Sequence, residues 1–159
     1  MRPLSDGERQ ILTRRTAGFS DLVREIAPGI NELASYLGYI QPEHAAEQLE
    51  PFLMSVEEFL QNADLTALTE GQQIWLQTRL AYLIIEVLVH RHGGHPFLQA
   101  DPEADFFLHY VVGNFDDGTP RTTLVEPFAI AYNVIHAAPA RTLIENIDKL
   151  NLGMSSTTM

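Results

Sequence analysis

Apolar residues recur at helical spacing through the first half of this chain, and the texture changes after Gly93-Gly94. Ser5-Asp-Gly-Glu8 reads as a capping box that opens a short helix running towards Arg15. Gly18 interrupts it. Phe19, Leu22, Val23, Ile26, Ile30, Leu33, Ala34 and Leu37 then share one helical face. Pro28-Gly29 predicts a kink or split in this element, with the apolar face held in phase across it, and Gly38 predicts a stop. Pro42 suits the first turn of a second helix, whose stripe is Ala45, Leu49, Phe52, Leu53, Val56, Phe59 and Leu60. Pro51 lies inside that stripe, which leaves open two helices in near-continuous register. A second capping box, Thr69-Glu-Gly-Gln72, opens a helix through Trp75, Leu76, Leu80, Leu83, Ile84, Val87 and Leu88 to about Arg91. From Leu80 onward it is apolar on nearly every side, as a central buried helix should be.

Beyond the glycine pair, HPFLQAD, DFFLHYVVGNF and RTTLVEPF are short and rich in β-branched and aromatic residues, with turn compositions DPEAD and DDGTP between them. They predict a three-stranded antiparallel meander. Pro127 can start a helix carrying Phe128, Ala131, Val134 and Ile135, and Pro139 another with Leu143, Ile144, Ile147 and Leu150. The fold class expected is therefore α+β: an N-terminal helical layer with a buried central helix, then the meander, then C-terminal helices. A single domain is expected over residues 1–150, with NLGMSSTTM at 151–159 as a flexible tail. No internal repeat or linker argues for a second domain.

Composition narrows the possibilities for function. The 159 residues are 45% hydrophobic and 19% charged, the balance of a globular protein. The absence of cysteine excludes disulfides, thiolate zinc sites and a cysteine nucleophile. MRPLSDGERQ has no apolar signal region, and Leu80 to Val89, broken by Glu86, is too short to cross a bilayer. A soluble cytoplasmic protein is expected. The net charge of −11 argues against nucleic acid and anionic membranes as partners, since both are polyanions. No Lys or Arg occurs between Arg24 and Arg79, an interval holding nine acids, whereas Arg2, Arg9, Arg14, Arg15 and Arg24 crowd the N-terminus.

Candidate chemistry centres first on VLVHRHGGHPF, Val87 to Phe97. His90, Arg91 and His92 suit the last turn of a helix, where cations answer the partial negative end. Gly93 or Gly94 supplies a left-handed cap, and His95-Pro96 leaves in extended form. That reading is a helix stop, with no cofactor. The alternative is a metal-dependent enzyme using Glu86, His90 and either His92 or His95, since Glu86 and His90 share a face at four-residue spacing. HRHGGH is not a recognised metal motif. Glu86, inside an apolar helix, needs a partner, for which Arg79 and His90 are candidates. His109 reads as a core or half-buried histidine with a hydrogen-bond partner. His44 and His136 stand isolated. No nucleophile elbow, phosphate loop, calcium loop or dinucleotide fingerprint is present.

The charge pattern gives a second candidate. On an ideal helix Glu43, Glu47, Glu50 and Glu57 fall within a sector of roughly 80° opposite the apolar stripe, with Glu58 outside it. No basic residue at three or four positions' distance neutralises them. Such a ridge attracts a basic partner and speeds encounter with it.

RLAYLIIEVLVHRHGGHPF, then DFFLHYVVGNF, then LVEPFAIAYNVI form a further pattern: a long apolar helix ending in Gly-Gly, two short strands, and a helix begun at VEPF. Over about residues 72–150 this resembles small bacterial domains of unknown function, some of which occur among immunity proteins of polymorphic toxin systems. Many such domains carry a tryptophan soon after the glycine pair, where this chain has His95 and Phe97. The resemblance implies a non-catalytic protein-binding module of immunity or adaptor type, its basic partner a toxin, and carries over no catalytic residue. A third reading is a homo-oligomer in which the arginine-rich N-terminus of one copy meets the acidic stripe of the next.

Overall fold

A computed structural model describes residues 2–116, 118, 123–136 and 143–149. It is mostly helical with a small antiparallel sheet: α1 (Asp6–Tyr36), α2 (His44–Glu47), α3 (Leu49–Asn62), α4 (Glu70–His92), β1 (His95–Leu98), β2 (Tyr110–Gly113), α5 (Pro127–His136) and α6 (Leu143–Asp148). The chain divides into two compact units. The described residues of unit 1 fall in Met1–Glu25 and Leu88–Glu126, and those of unit 2 in Ile26–Val87 and Pro127–Leu150.

The capping box at Ser5 forms in both directions. The Glu8 N–H donates to Ser5 Oγ at 3.1 Å, and the Ser5 N–H to Glu8 Oε1 at 2.9 Å. From there α1 runs unbroken to Tyr36, so neither Gly18 nor Pro28-Gly29 ends a helix as the sequence suggests. Burial explains this. Ile26, Ile30, Leu33 and Ala34 are all buried, so the apolar face continues in phase across Pro28. Gly29 is required for contact rather than for flexibility, because a Cβ there would lie 2.3 Å from the ring of Tyr82. Val23, assigned to the same apolar face, is exposed.

The second stripe is interrupted before Pro51, not at it. Gln48 leaves helical geometry at φ −126°, ψ 61°, ending α2 and opening α3. A helix running straight through would drive the Pro51 ring into the carbonyl of Glu47, whereas in the first turn of α3 its missing N–H is no loss. The apolar set still goes inside: Ala45, Leu49, Phe52, Leu53, Val56 and Leu60 are buried. The capping box of α4 also closes, through Gln72 N–H to Thr69 Oγ1 at 3.1 Å and Thr69 N–H to Gln72 Oε1 at 2.8 Å. Leu80, Ala81, Leu83, Ile84 and Ile85 are essentially solvent-free, as expected of the buried central helix.

At its end α4 stops at the glycine pair. Gly93 adopts φ +66° and its N–H bonds the Val89 carbonyl at 3.0 Å, a left-handed cap. Gly94 has a different reason to be glycine: a Cβ would sit 2.6 Å from Phe115 and 2.7 Å from Val112.

The three-stranded meander is not formed among the described residues. β1 and β2 pair antiparallel from His95↔Gly113 to Leu98↔Tyr110, and the third segment contributes one bridge, Val112↔Val125. Pro127, two residues on, has no N–H to extend that ladder and begins α5 instead. The stretch before Tyr110 turns rather than extends, because Phe106 and Leu108 hold φ of 61° and 71°. Leu108 is fixed there by its N–H on the Gln99 carbonyl at 2.8 Å and by Arg15 Nη1 donating to its carbonyl at 3.0 Å. Residues 119–122, the Pro139 helix start and the tail 151–159 lie outside the described residues.

Candidate partner-binding surface

The four glutamates of the acidic ridge have different surroundings. Glu43 precedes α2 and Glu47 ends it; both are exposed, and among the described residues neither makes an ion pair or side-chain hydrogen bond. Glu50, in the first turn of α3, is also exposed. Glu57 is half-buried and engaged. Its Oε2 accepts from Gln61 Nε2 at 3.0 Å, and its Oε1 accepts the backbone N–H of Ile144 in the first turn of α6 at 3.2 Å. A carboxylate there satisfies an amide that has no intrahelical acceptor. Glu57 is therefore a structural tie between α3 and α6.

Glu58, which the ideal projection leaves outside the ridge, is exposed and has no ion pair or side-chain hydrogen bond among the described residues. It lines a groove of about 530 Å³ together with Leu37, Tyr39, Ser55, Phe59 and Ala63. The break at Gln48 also means that Glu43 and Glu47 are not phased with α3 by simple 100° rotation. Within α3 the projection holds, and Glu50 and Glu57 differ by roughly 20°.

The acid-rich interval has one cation, Arg79, and it is already occupied. Its Nη2 donates to Glu32 at 3.1 Å, and its guanidinium lies 4.6 Å from the Trp75 ring centroid with the side chain 20% exposed. Arg79 is thus held by Glu32, while Glu86 is half-buried with contacts of its own. Trp75 meets Tyr36 at 5.3 Å, and Tyr36 meets Phe59 edge-on at 5.6 Å, an aromatic cluster joining α1, α3 and α4. The N-terminal arginines have partners nearby as well. Arg2 forks onto Glu8 through bonds of 2.9 and 2.8 Å, Arg9 pairs with Asp6, and Arg24 pairs with Asp21. The bond from Arg2, and then that from the Ser5 N–H, hold the Glu8 carboxyl down to about 2; the same bond raises Arg2 above its ordinary value.

The histidine cluster does not assemble into a metal centre. Among the described residues no group of three or more His, Asp or Glu side chains is placed to hold a metal ion. His90, His92 and His95 end α4 and begin β1. The His92 ring packs edge-on against Phe115, and His95 Nε2 lies 3.4 Å from Asp116. His109 precedes β2, with its Nδ1 3.2 Å from Glu126 Oε2. Glu126 is 9% exposed, the one buried charged side chain among the described residues. Sequence reasoning passed over it; the signal was a carboxylate between Val125 and Pro127 in an apolar context, which has to find a polar neighbour.

No helix among the described residues is long and apolar enough to cross a membrane. Comparison with protein families, with curated proteins and with solved structures finds no match for this chain.

Proposed function

We propose that this chain is a non-catalytic protein-binding module of immunity or adaptor type, docking a basic protein through the exposed carboxylates Glu43, Glu47 and Glu50. One observation carries the reading. In Ile26–Val87 nine carboxylates face a single arginine, and that arginine is held by Glu32 and Trp75. Glu50 has a contact of its own, whereas Glu43 and Glu47 have no ion pair or side-chain hydrogen bond among the described residues, so their field is left for a partner. A basic toxin is the partner class that the resemblance of residues 72–150 suggests. The arginine-rich N-terminus of a second copy is the weaker candidate, since Arg2, Arg9 and Arg24 are each paired with a carboxylate of their own chain.

A fluorescently labelled Lys/Ser peptide serves as the probe, titrated by anisotropy between about 50 and about 200 mM salt. Glu47→Lys with Glu50→Lys is expected to weaken binding by about tenfold at the lower salt and to flatten the salt dependence. Glu25→Lys with Asp105→Lys makes the same change in net charge elsewhere. Equal losses in the two double variants would reduce the effect to overall charge and end the docking-face reading.

A further inference from the structure

The acidic face of α3 runs into a groove rather than into open surface. Measured from Glu50 on the helical wheel, Met54 lies at roughly 40° and Glu58 at roughly 80°, with the groove residues Asn62 and Ser55 next at roughly 120° and 140°. Met54 is 65% exposed, and Ile40, beside the groove residue Tyr39, is 97% exposed. The groove floor is already built. The Tyr39 hydroxyl donates to Ser55 Oγ at 2.9 Å, Ser55 Oγ donates to the Pro51 carbonyl at 3.2 Å, and the Tyr39 ring meets Phe52 edge-on at 5.3 Å. These polar atoms satisfy one another, which leaves Leu37, Tyr39, Phe59 and Ala63 to offer apolar surface. At the rim stands Glu58, with no ion pair among the described residues.

We infer that this groove receives an apolar side chain of the basic partner, while Glu58 binds a lysine or arginine next to it. The inference rests on the reading of the α2–α3 carboxylates as a docking face, and it specifies what that partner must carry. Charge alone recognises any cation. An apolar pocket bordered by a carboxylate recognises a bulky residue and a cation held side by side, and an anchor buried inside a ring of polar contacts gives interfaces most of their affinity. Met54 at the border is unbranched and polarisable, able to adapt to more than one anchor. The occupant is argued from charge: the rim is anionic, and the sequence from Glu25 to Thr78 holds no Lys or Arg that could neutralise it. A second copy would bring the same acidic surface and N-terminal arginines that are mostly already paired.

Two labelled peptides test this against the full chain: the Lys/Ser peptide, and the same peptide with leucine replacing a serine beside a lysine. The leucine peptide is expected to bind about tenfold tighter, the scale of burying one such side chain. Ala63→Phe, which fills the groove, is expected to remove that preference and leave the Lys/Ser affinity unchanged. Glu58→Lys should weaken the leucine peptide more than the Lys/Ser peptide. Asn62→Trp obstructs the same groove from an exposed position, and circular dichroism shows which of the variants folds. Equal binding of both peptides by the unaltered chain overturns the groove, even where Glu47→Lys with Glu50→Lys still weakens both and the docking face stands. A preference lost in Ala63→Phe but indifferent to the double variant supports the groove and removes the docking face. A concentration-dependent dimer abolished by Ala63→Phe would make a second copy the occupant and overturn the assignment to a basic partner.

Discussion

Of the 29 buried hydrophobic side chains among the described residues, 23 belong to unit 2 and six to unit 1. Charge is divided as unevenly. The segments Ile26–Val87 and Pro127–Leu150 carry eleven carboxylates and three Lys or Arg, whereas Met1–Glu25 and Leu88–Glu126 carry ten carboxylates and seven Arg. Unit 2 is held by its interior, and among its described carboxylates Glu43, Glu47 and Glu58 have no ion pair or side-chain hydrogen bond. Unit 1, short of core, is tied by polar contacts: the Ser5–Glu8–Arg2 network, Arg15 on the Leu108 carbonyl, Tyr110 on the Arg15 carbonyl, His109 beside Glu126. Surface side chains that a fold does not need are free to be shaped by a partner. That difference is why we propose the docking face for unit 2, and why Glu57, which the fold does need, is left out of the proposal.

The contrast breaks most visibly in the core. Leu80 is fully buried in α4, within unit 2. Leu80→Ala should lower the unfolding free energy by about 2–5 kcal/mol, the sum of lost transfer energy and a cavity that close-packed neighbours cannot fill. Urea denaturation measures it. A loss below about 1 kcal/mol would mean that the interior of unit 2 is not what holds it.

In unit 1 the matching change is polar. The Tyr110 hydroxyl donates to the Arg15 carbonyl at 2.7 Å, and its ring packs against Phe19 at 6.0 Å. Tyr110→Phe keeps the ring and deletes one bond, so a loss of about 0.5–1.5 kcal/mol is expected, small beside Leu80→Ala but large for a side chain at the surface. A neutral result in the same denaturation series would show that unit 1 does not depend on these ties.

How much of this was legible follows from the range of the forces involved. Both capping boxes, the Gly93 stop and the Pro127 start were readable because their partners lie within a few residues. The buried stripes were readable too, since periodicity reports a face whatever it packs against. The continuity of α1 through Pro28 was not, because what holds it is burial of Ile26, Ile30 and Leu33. Nor was the exchange of roles between Glu57 and Glu58. An ideal wheel ranks them by angle alone, while the Ile144 amide that engages Glu57 comes from 87 residues away. The strands fell short for a related reason: alternation marks residues able to extend, whereas Leu108 in the second segment is captured by Arg15 from α1, and the third segment pairs at Val125 alone before Pro127 opens α5.

The smallest effect concerns the polar network that opens α1. Glu8 titrates at about 2 in the folded chain, against an ordinary 4.5, chiefly through its bond to Arg2 and then through the Ser5 N–H. A folded value below the unfolded one means that the stabilisation is complete above pH 4.5 and is lost as the pH falls towards 2. Carboxyl chemical shifts followed by NMR should therefore give Glu8 a midpoint near 2, and Arg2→Ala should move it up towards 4.5. The helix start should loosen over the same acid range in the unaltered chain, since protonated Glu8 can no longer accept from both Arg2 and Ser5 as an anion. A Glu8 midpoint near 4.5 with Arg2 in place would show that the fork is not formed in solution, and the account of unit 1 as a body tied by polar contacts would lose its N-terminal anchor.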